Sequence, residues 1–189
     1  MAKAYLITGN KDKLAEAKRL LGFDVNHIQL DLDELQGLDA EKIAEHKARQ
    51  GFKETGKPII VWDQSIYISA LNDFPGPLIK WFWTSVTLEK ICQIAALLGD
   101  NKIKAQSILT FYDGSEMKSF IGEASGTLPD VPRGDKGFGW DPIFIPNGPT
   151  LTYAEMDVSD PLFHIHNQDF QELVQFLTER GYNLEATNS

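Results

Sequence analysis

Residues 4–22 read AYLITGNKDKLAEAKRLLG, and this stretch decides the fold class. Ala4 to Ile7 is a short apolar run that predicts a buried strand. Thr8-Gly9-Asn10 is a turn cluster that stops it. From Lys11 the period changes. Leu14, Ala17, Leu20 and Leu21 recur at three and four residues, which predicts a helix over Lys11–Leu21. Gly22 stands where a C-terminal cap is expected. A strand that turns directly into a helix is the opening of an α/β fold. The alternation continues downstream. Val25 to Leu32 predicts a second strand. Asp39 is placed to cap a helix running to about Thr55, with Ile43, Ala44 and Ala48 on one face. Pro58 to Val61 and then Ile66, Ile68 and Ala70 predict successive strands, or a strand pair, around Asp63.

The second half changes character. Phe74-Pro75-Gly76-Pro77 reads as a loop. Leu88, Ile91, Ile94, Ala95 and Leu98 mark an amphipathic helix ended by Gly99. Ile103 to Tyr112 and Met117 to Ala124 predict a hairpin turning at Asp113-Gly114. Arg133 to Trp140 is a polar, glycine-rich loop, and Ile143 to Ile145 a short strand closed by Pro146. Phe170, Leu173, Val174 and Leu177 stripe a last helix ended by Gly181. The expectation is mixed α/β, a twisted mixed sheet with flanking helices and partly antiparallel pairing. No repeat or linker interrupts it, so residues 1–183 are expected to form one domain, with 184–189 a frayed tail.

Composition narrows the function classes. The chain has 189 residues with 18 Lys+Arg against 27 Asp+Glu, a formal net charge of -9. That length can bury a sizeable interior. The acidic balance disfavours long nucleic acid as a partner but not a small polyanion in a local basic pocket. A single cysteine, Cys92, excludes an internal disulfide framework. No apolar run is long enough to span a bilayer. The first ten residues, MAKAYLITGN, lack the apolar region of a signal peptide. The expectation is a cytoplasmic protein without membrane attachment.

Three segments could carry chemistry. In Thr8-Gly9-Asn10 with Lys11, Lys13 and Glu16, a glycine permits close backbone approach, a helix start offers N–H groups to an anion, and Lys13 adds a mobile positive charge. Taken alone, an ordinary strand-to-helix turn explains it as well, and the spacing is not that of a Walker loop. Glu34, Asp63 and Asp141 are carboxylates near expected element ends, and Mg²⁺ commonly uses one or two such groups with substrate phosphates and water. Asp63 follows the apolar run Ile59-Ile60-Val61, so a buried strand delivers a charge. An exposed turn residue is the competing reading. Gly137-Phe138-Gly139-Trp140-Asp141-Pro142 could present backbone donors and a ring to a base, or simply bury two aromatics. His27, His46, His164 and His166 show no zinc spacing. No nucleophile elbow is present. Trp81, Phe82 and Trp83 read as core or dimer-interface residues.

Taken in order, these segments resemble the inosine triphosphate pyrophosphatase family. The residues that carry the resemblance are Thr8-Gly9-Asn10 with Lys13 and Glu16, Asp33-Glu34-Leu35-Gln36-Gly37, Lys47 and Asp63. Ala70-Leu71-Asn72 and the run Phe74-Pro75-Gly76-Pro77-Leu78-Ile79-Lys80-Trp81-Phe82 follow. The strongest piece is Pro132-Arg133-Gly134 with Gly137 to Phe144, and Tyr153-Ala154-Glu155-Met156 closes the match. The resemblance implies two lobes with a nucleotide cleft between them, a homodimer, and Mg²⁺-dependent hydrolysis of a nucleoside triphosphate to a monophosphate and pyrophosphate. It assigns the phosphates to Thr8, Gly9, Asn10 and Lys13, the metal to Glu34 and Asp63, and substrate contact to Lys47. Asp63, as activator of the attacking water, and Lys13 are the implied catalytic pair. Phe138, Gly139, Trp140 and Asp141 would line the nucleoside pocket. The implied metal is physically coherent. Carboxylates facing a triphosphate repel it by about 4 kcal/mol per close pair at an effective dielectric near 20, and a cation reverses the sign.

The chain departs from the family pattern within the implied site. Trp62 stands where the family has a glutamate before the aspartate, and Gln64 where it has Thr or Ser. Pro161 replaces a lysine, and Ile165-His166-Asn167 replaces Ser-His-Arg, leaving only His166 to meet the purine. Each lost charge-assisted hydrogen bond is worth roughly 1.5–3 kcal/mol. The expectation is a pyrophosphatase with altered base selectivity. The alternative is a nucleotide-binding or regulatory module with weak or no turnover.

Overall fold

The structure is a computed structural model and describes residues 1–157 and 167–186. Two compact units emerge. The first comprises Met1–Asp63, Ser107–Gly122 and the chain from Asn167, and the second Gln64–Gln106 with Glu123–His166. Each builds its own core.

In the first unit, β1 (Ala2–Lys3) pairs with β9 (Tyr182–Asn183), and β2 (Tyr5–Ile7) turns into α1 (Lys11–Leu21). The helix starts where the sequence says it should. The Asn10 side-chain oxygen accepts from the N–H groups of Asp12 at 2.8 Å and Lys13 at 3.2 Å, and Gly22 closes it in the left-handed conformation. β3 is only His27–Ile28, paired in parallel with Leu6 and Ile7. The strand expected over Val25–Leu32 is therefore shorter. Its outer apolar residues are held by packing, since Leu30 and Leu32 lie against the core without a ladder partner there. α2 (Ala40–Thr55) has Asp39 as its cap and buries Ala40, Ile43, Ala44, Ala48 and Gly51. Gly51 lets the helix approach the sheet, because a Cβ there would meet Ile7 Cδ1 at 2.8 Å.

β4 (Ile59–Ile68) is one continuous ten-residue strand, which corrects the expectation of two strands broken at Asp63. Trp62-Asp63-Gln64 keeps the extended backbone, so Asp63 is a mid-strand residue rather than a strand tip. β6 (Lys102–Tyr112) and β7 (Met117–Thr127) form the expected hairpin, with Asp113 accepting from the Ser115 and Glu116 N–H groups at its turn. α5 (Asn167–Glu179) follows.

Strand period sorts this unit's core into two faces. Leu6, Ile60, Trp62, Leu109 and Phe111 pack with Ala17 of α1 and with Phe170, Leu173 and Leu177 of α5. Their neighbours Ile7, Ile59, Val61 and Ile108 pack with Ala40, Ala44 and Ala48 of α2. By the same alternation, Asp63 belongs to the α2 face and Trp62 and Ser107 to the α5 face. At the chain end, Leu184 is buried and the Ala186 N–H donates to the Asp24 carbonyl, so the chain is held to that point.

In the second unit, β5 (Phe74–Gly76) pairs antiparallel with Ile66–Ile68 of β4. The Phe-Pro-Gly-Pro segment is thus a strand with a turn beside it, not only a loop. α3 (Ile79–Val86) carries Trp81, Phe82 and Trp83, a helix the sequence period did not reveal in so short an aromatic run. Phe82 and Trp83 pack on the core, whereas Trp81 is 54% exposed. α4 (Leu88–Leu98) runs as expected and buries Cys92, whose thiol burial pushes up to about 11. Ile143 ends a 3₁₀ turn from Asp141, and β8 is Ile145–Pro146, paired with Gly126 and Thr127. No helix among the described residues is long and apolar enough to cross a membrane.

Candidate active site

The charged centre of the first unit forms around Asp63. Strand alternation turns Asp63 towards α2, and Lys47, one helical turn from Ile43 and Ala44, reaches it. The Lys47 Nζ donates to Asp63 Oδ1 at 2.7 Å. Lys13, from the first turn of α1, lies 3.8 Å from the same oxygen and donates to the Trp62 carbonyl at 3.0 Å. The lysine ammonium also sits 5.8 Å from the Trp62 ring centroid. Asp63 Oδ2 is buried and has no hydrogen-bond partner among the described residues. One oxygen of this carboxylate is held by cations, and the other is left over.

The electrostatics follow from that geometry. Burial raises the Asp63 carboxyl, but Lys13 and Lys47 together outweigh it and hold the group below the usual carboxylate range. Asp63 is therefore an anion at neutral pH. Burial lowers the Lys13 ammonium below its ordinary value. Asp63 works against that shift, Lys47 adds to it, and the charges of Glu16 and Glu34 oppose it. Glu34 is exposed and lies outside any helix or strand, yet its charge is felt at Lys13. The structure thus brings Lys13, Glu34, Lys47 and Asp63 into one neighbourhood.

The Thr8–Asn10 turn is more self-contained than its sequence suggests. Thr8 Oγ1 accepts from the Asn10 N–H at 3.1 Å, and the Asn10 side chain takes two N–H groups of the helix start. Those donors are already engaged, so an anion here meets chiefly the Lys13 side chain. Gly9 has a close neighbour that the sequence does not announce. The Asp31 carboxylate occupies the space a Cβ would need. Asp31 was not singled out by sequence. Its only signal was its place in the acidic run that ends at Glu34.

The Phe138–Asp141 loop belongs to the second unit. Asp141 is buried, and its Oδ2 accepts from the Phe138 N–H at 2.8 Å. The carboxylate organises its own loop. Gly137, at φ 73°, must be glycine because that carboxylate fills the Cβ position. Trp140 is 6% exposed and packs its ring against Phe144 and Tyr153 at centroid distances of 5.5 and 6.2 Å. Its ring is part of the core. Phe138, half-buried, is the ring of this loop that remains near the surface. His166, Pro161 and Ile165 lie outside the described residues.

Ser107 and Asp169 carry no local signal in the sequence, and Trp62 is marked there only as a departure from the family pattern. Trp62 donates its indole N–H to Ser107 Oγ at 2.8 Å, and Ser107 donates to the Asp169 carboxylate. They come from three distant segments and meet only through strand order and strand face.

The fold is mixed α/β, and its charged centre is a carboxylate held by two ammonium groups, with one carboxylate oxygen unpartnered among the described residues. The chain belongs to the Ham1 family, whose model matches residues 4–167. It is 38% identical over 164 residues to a dITP/XTP pyrophosphatase of Methanopyrus kandleri, covering 84% of this chain and 86% of the relative. It is 31% identical to a dITP/XTP pyrophosphatase of Saccharolobus solfataricus, covering 93% of both. The fold also matches the solved structure of a Ham1 protein from Coxiella burnetii, with a TM-score of 0.80, 26% identity, and coverage of 95% of this chain and all of that one.

Proposed function

We propose that this chain hydrolyses a nucleoside triphosphate to the monophosphate and pyrophosphate, with Mg²⁺, and that its base selectivity differs from that of the family at large. The observation that carries the reading is the Asp63 carboxylate, ionised by Lys13 and Lys47, with Oδ2 buried and unpartnered among the described residues. A buried anionic oxygen without a partner is costly unless a cation meets it. The donor set fits Mg²⁺, which prefers oxygen and accepts one or two carboxylates alongside phosphate oxygens and water. Asp63 and Glu34 would hold it. Among the described residues no cluster of three His, Cys, Asp or Glu side chains stands ready for a metal, so substrate and water complete the shell. Bound there, Mg²⁺ supplies positive charge to phosphate oxygens whose negative charge grows during the reaction.

The chain's own groups account for the remaining steps. Lys47 and Lys13 neutralise phosphate charge, and their partial burial strengthens that attraction. Asp63, kept ionised, accepts a hydrogen bond from water and aims its oxygen at the α-phosphorus. Water adds there, the bond to the β-phosphate's bridging oxygen breaks, and the water's proton passes through Asp63 to solvent. The base-selectivity proposal rests on the replacements at Pro161, Ile165 and Asn167, which exchange cationic or hydroxyl groups for uncharged ones. The nucleoside assignments of Phe138, Gly139, Trp140, Asp141 and His166, and a cytoplasmic homodimer, belong to the same proposal, and sedimentation tests the dimer.

The deciding experiment is a panel of standard and modified-base NTPs and dNTPs with Mg²⁺, read as pyrophosphate and monophosphate released. Turnover of at least one nucleotide well above an Asp63→Asn control is expected. Release no faster than that control on every nucleotide refutes the proposal.

A further inference from the structure

The α5 face of β4 holds a buried polar chain beside the charged centre. Trp62 precedes Asp63 in the strand. Its indole N–H donates to Ser107 Oγ, Ser107 donates to Asp169 Oδ2, and Asp169 Oδ1 accepts from the Phe170 N–H at 2.9 Å. Ser107 and Asp169 are buried, at 2% and 0% exposure. The Trp62 ring also meets Phe170 edge-on at 5.0 Å. On its other side the same residue's carbonyl accepts from Lys13. Trp62 therefore ties three elements to the residue that carries the anion.

We infer that Trp62, Ser107 and Asp169 are positioning residues that fix the Asp63 carboxylate and the Lys13 ammonium for the reaction. The inference rests on the reading of this centre given under Proposed function. Its logic is directional. Every donor in the chain points the same way, from indole to hydroxyl to carboxylate, so each group has one satisfied arrangement. Backbone atoms of Trp62 cannot shift without disturbing either that chain or the Lys13 contact. A displacement of the order of 1 Å at a reacting centre can cost about a hundredfold in rate, so even a partial loosening is measurable. Burial pushes the Asp169 carboxyl up to about 6, and it remains the acceptor that orients Ser107 at neutral pH. None of the three side chains touches the phosphates in this account. They act through Asp63 and Lys13.

The test compares Ser107→Ala, Ser107→Thr and Trp62→Phe in the full chain. Ser107→Ala is expected to lower kcat about tenfold with KM within about twofold, and Ser107→Thr to recover most of the loss by restoring a hydroxyl. The Trp62 indole ¹H–¹⁵N resonance should move in Ser107→Ala and return in Ser107→Thr. A kcat within about twofold of wild type in Ser107→Ala, with the indole resonance moved, overturns the inference. So does a fall in melting temperature with no separation of kcat from KM. Should Ser107→Ala not fold, Trp62→Phe carries the same kcat expectation, because it keeps a ring against Phe170 and deletes the donor. An inactive wild-type chain would refute the proposed function instead. Crystal structures of wild type and Ser107→Ala then decide this point. Lys13 leaving the Trp62 carbonyl supports positioning, and Lys13 staying at 3.0 Å overturns it.

Discussion

Asp63 and Asp141 are both carboxylates at the margin of an apolar core, one in each unit, and they are used in opposite ways. Asp141 spends Oδ2 on the Phe138 N–H of its own loop. Asp63 gives one oxygen to two ammonium groups, and its other oxygen has no partner among the described residues. The difference teaches how to separate a structural acid from a chemical one. A buried carboxylate answered by the backbone shapes the chain, whereas one answered only in part is the one to which the proposed function gives a ligand. The sharpest way to break this contrast is to neutralise each acid. Asp63→Asn should cut pyrophosphate release at least about a thousandfold, since it removes the anion that the proposed function sets against water and metal. Asp141→Asn should chiefly lower stability, by about 1–2 kcal/mol in urea unfolding, with turnover falling far less. Equal losses of turnover would erase the distinction.

Much of this was legible in sequence, and the limits are physical. α1, α2, α4, α5 and the β6–β7 hairpin carry their own caps, periods or turn residues, so local chemistry announces them. Asp63 is legible because a charge follows an apolar run, Lys13 because it follows a strand–turn–helix start, and Glu34 because it lies near an expected element end, whereas Lys47 is legible only through the family resemblance. Strand continuity through Asp63 was not legible, since a polar trio inside a strand looks like a turn until both flanks are seen paired. The burial of the Trp140 ring was not legible, because sequence does not show which way a loop aromatic faces. The Trp62–Ser107–Asp169 chain was invisible because its members are 45 and 62 residues apart. Only the neighbouring positions of β4 and β6, and the start of α5 above them, bring the three together.

Asp169 extends the comparison to a third acid, and pH separates it from the first. Burial without a cation raises Asp169 to about 6, while Asp63 lies below its ordinary value. Asp63's contribution to stability is present above the unfolded carboxyl value near 3.8 and is lost as pH falls through its depressed folded value. Asp169 has the reverse sign. Its contribution is fully present below about 3.8 and is lost as pH rises through about 6. Across that window the wild type should lose about 3 kcal/mol relative to Asp169→Asn, which cannot ionise. Urea unfolding of both proteins from pH 4 to 7 measures it. A difference that stays flat with pH would show that Asp169 titrates normally.

The loop around Asp141 offers a smaller test of its structural role. Gly137→Ala must place a Cβ where the Asp141 carboxylate lies, at φ 73°, and should cost about 2–3 kcal/mol. Gly139 has a similar φ of 64° but open space around the position of a Cβ, so Gly139→Ala should cost only about 1 kcal/mol. Thermal or urea unfolding reads both. A larger loss at Gly139 would mean that backbone conformation, not the Asp141 carboxylate, governs the loop.

The smallest effect concerns Asn10, whose side chain is occupied as Asp141's is. Its oxygen accepts from the Asp12 and Lys13 N–H groups, so its first duty is to start α1 and thereby place Lys13. Asn10→Ala should cost about 1 kcal/mol and Asn10→Gly a few tenths, in line with other helix caps. Asn10→Asp keeps an acceptor of the same shape and suits the positive helix end, so stability should hold within about 0.5 kcal/mol. Its added charge would nonetheless oppose a triphosphate approaching Lys13, and KM should rise severalfold with kcat less affected. A KM unchanged in Asn10→Asp would place the phosphates away from the α1 start and leave Lys47 and Asp63 as the centre that meets them.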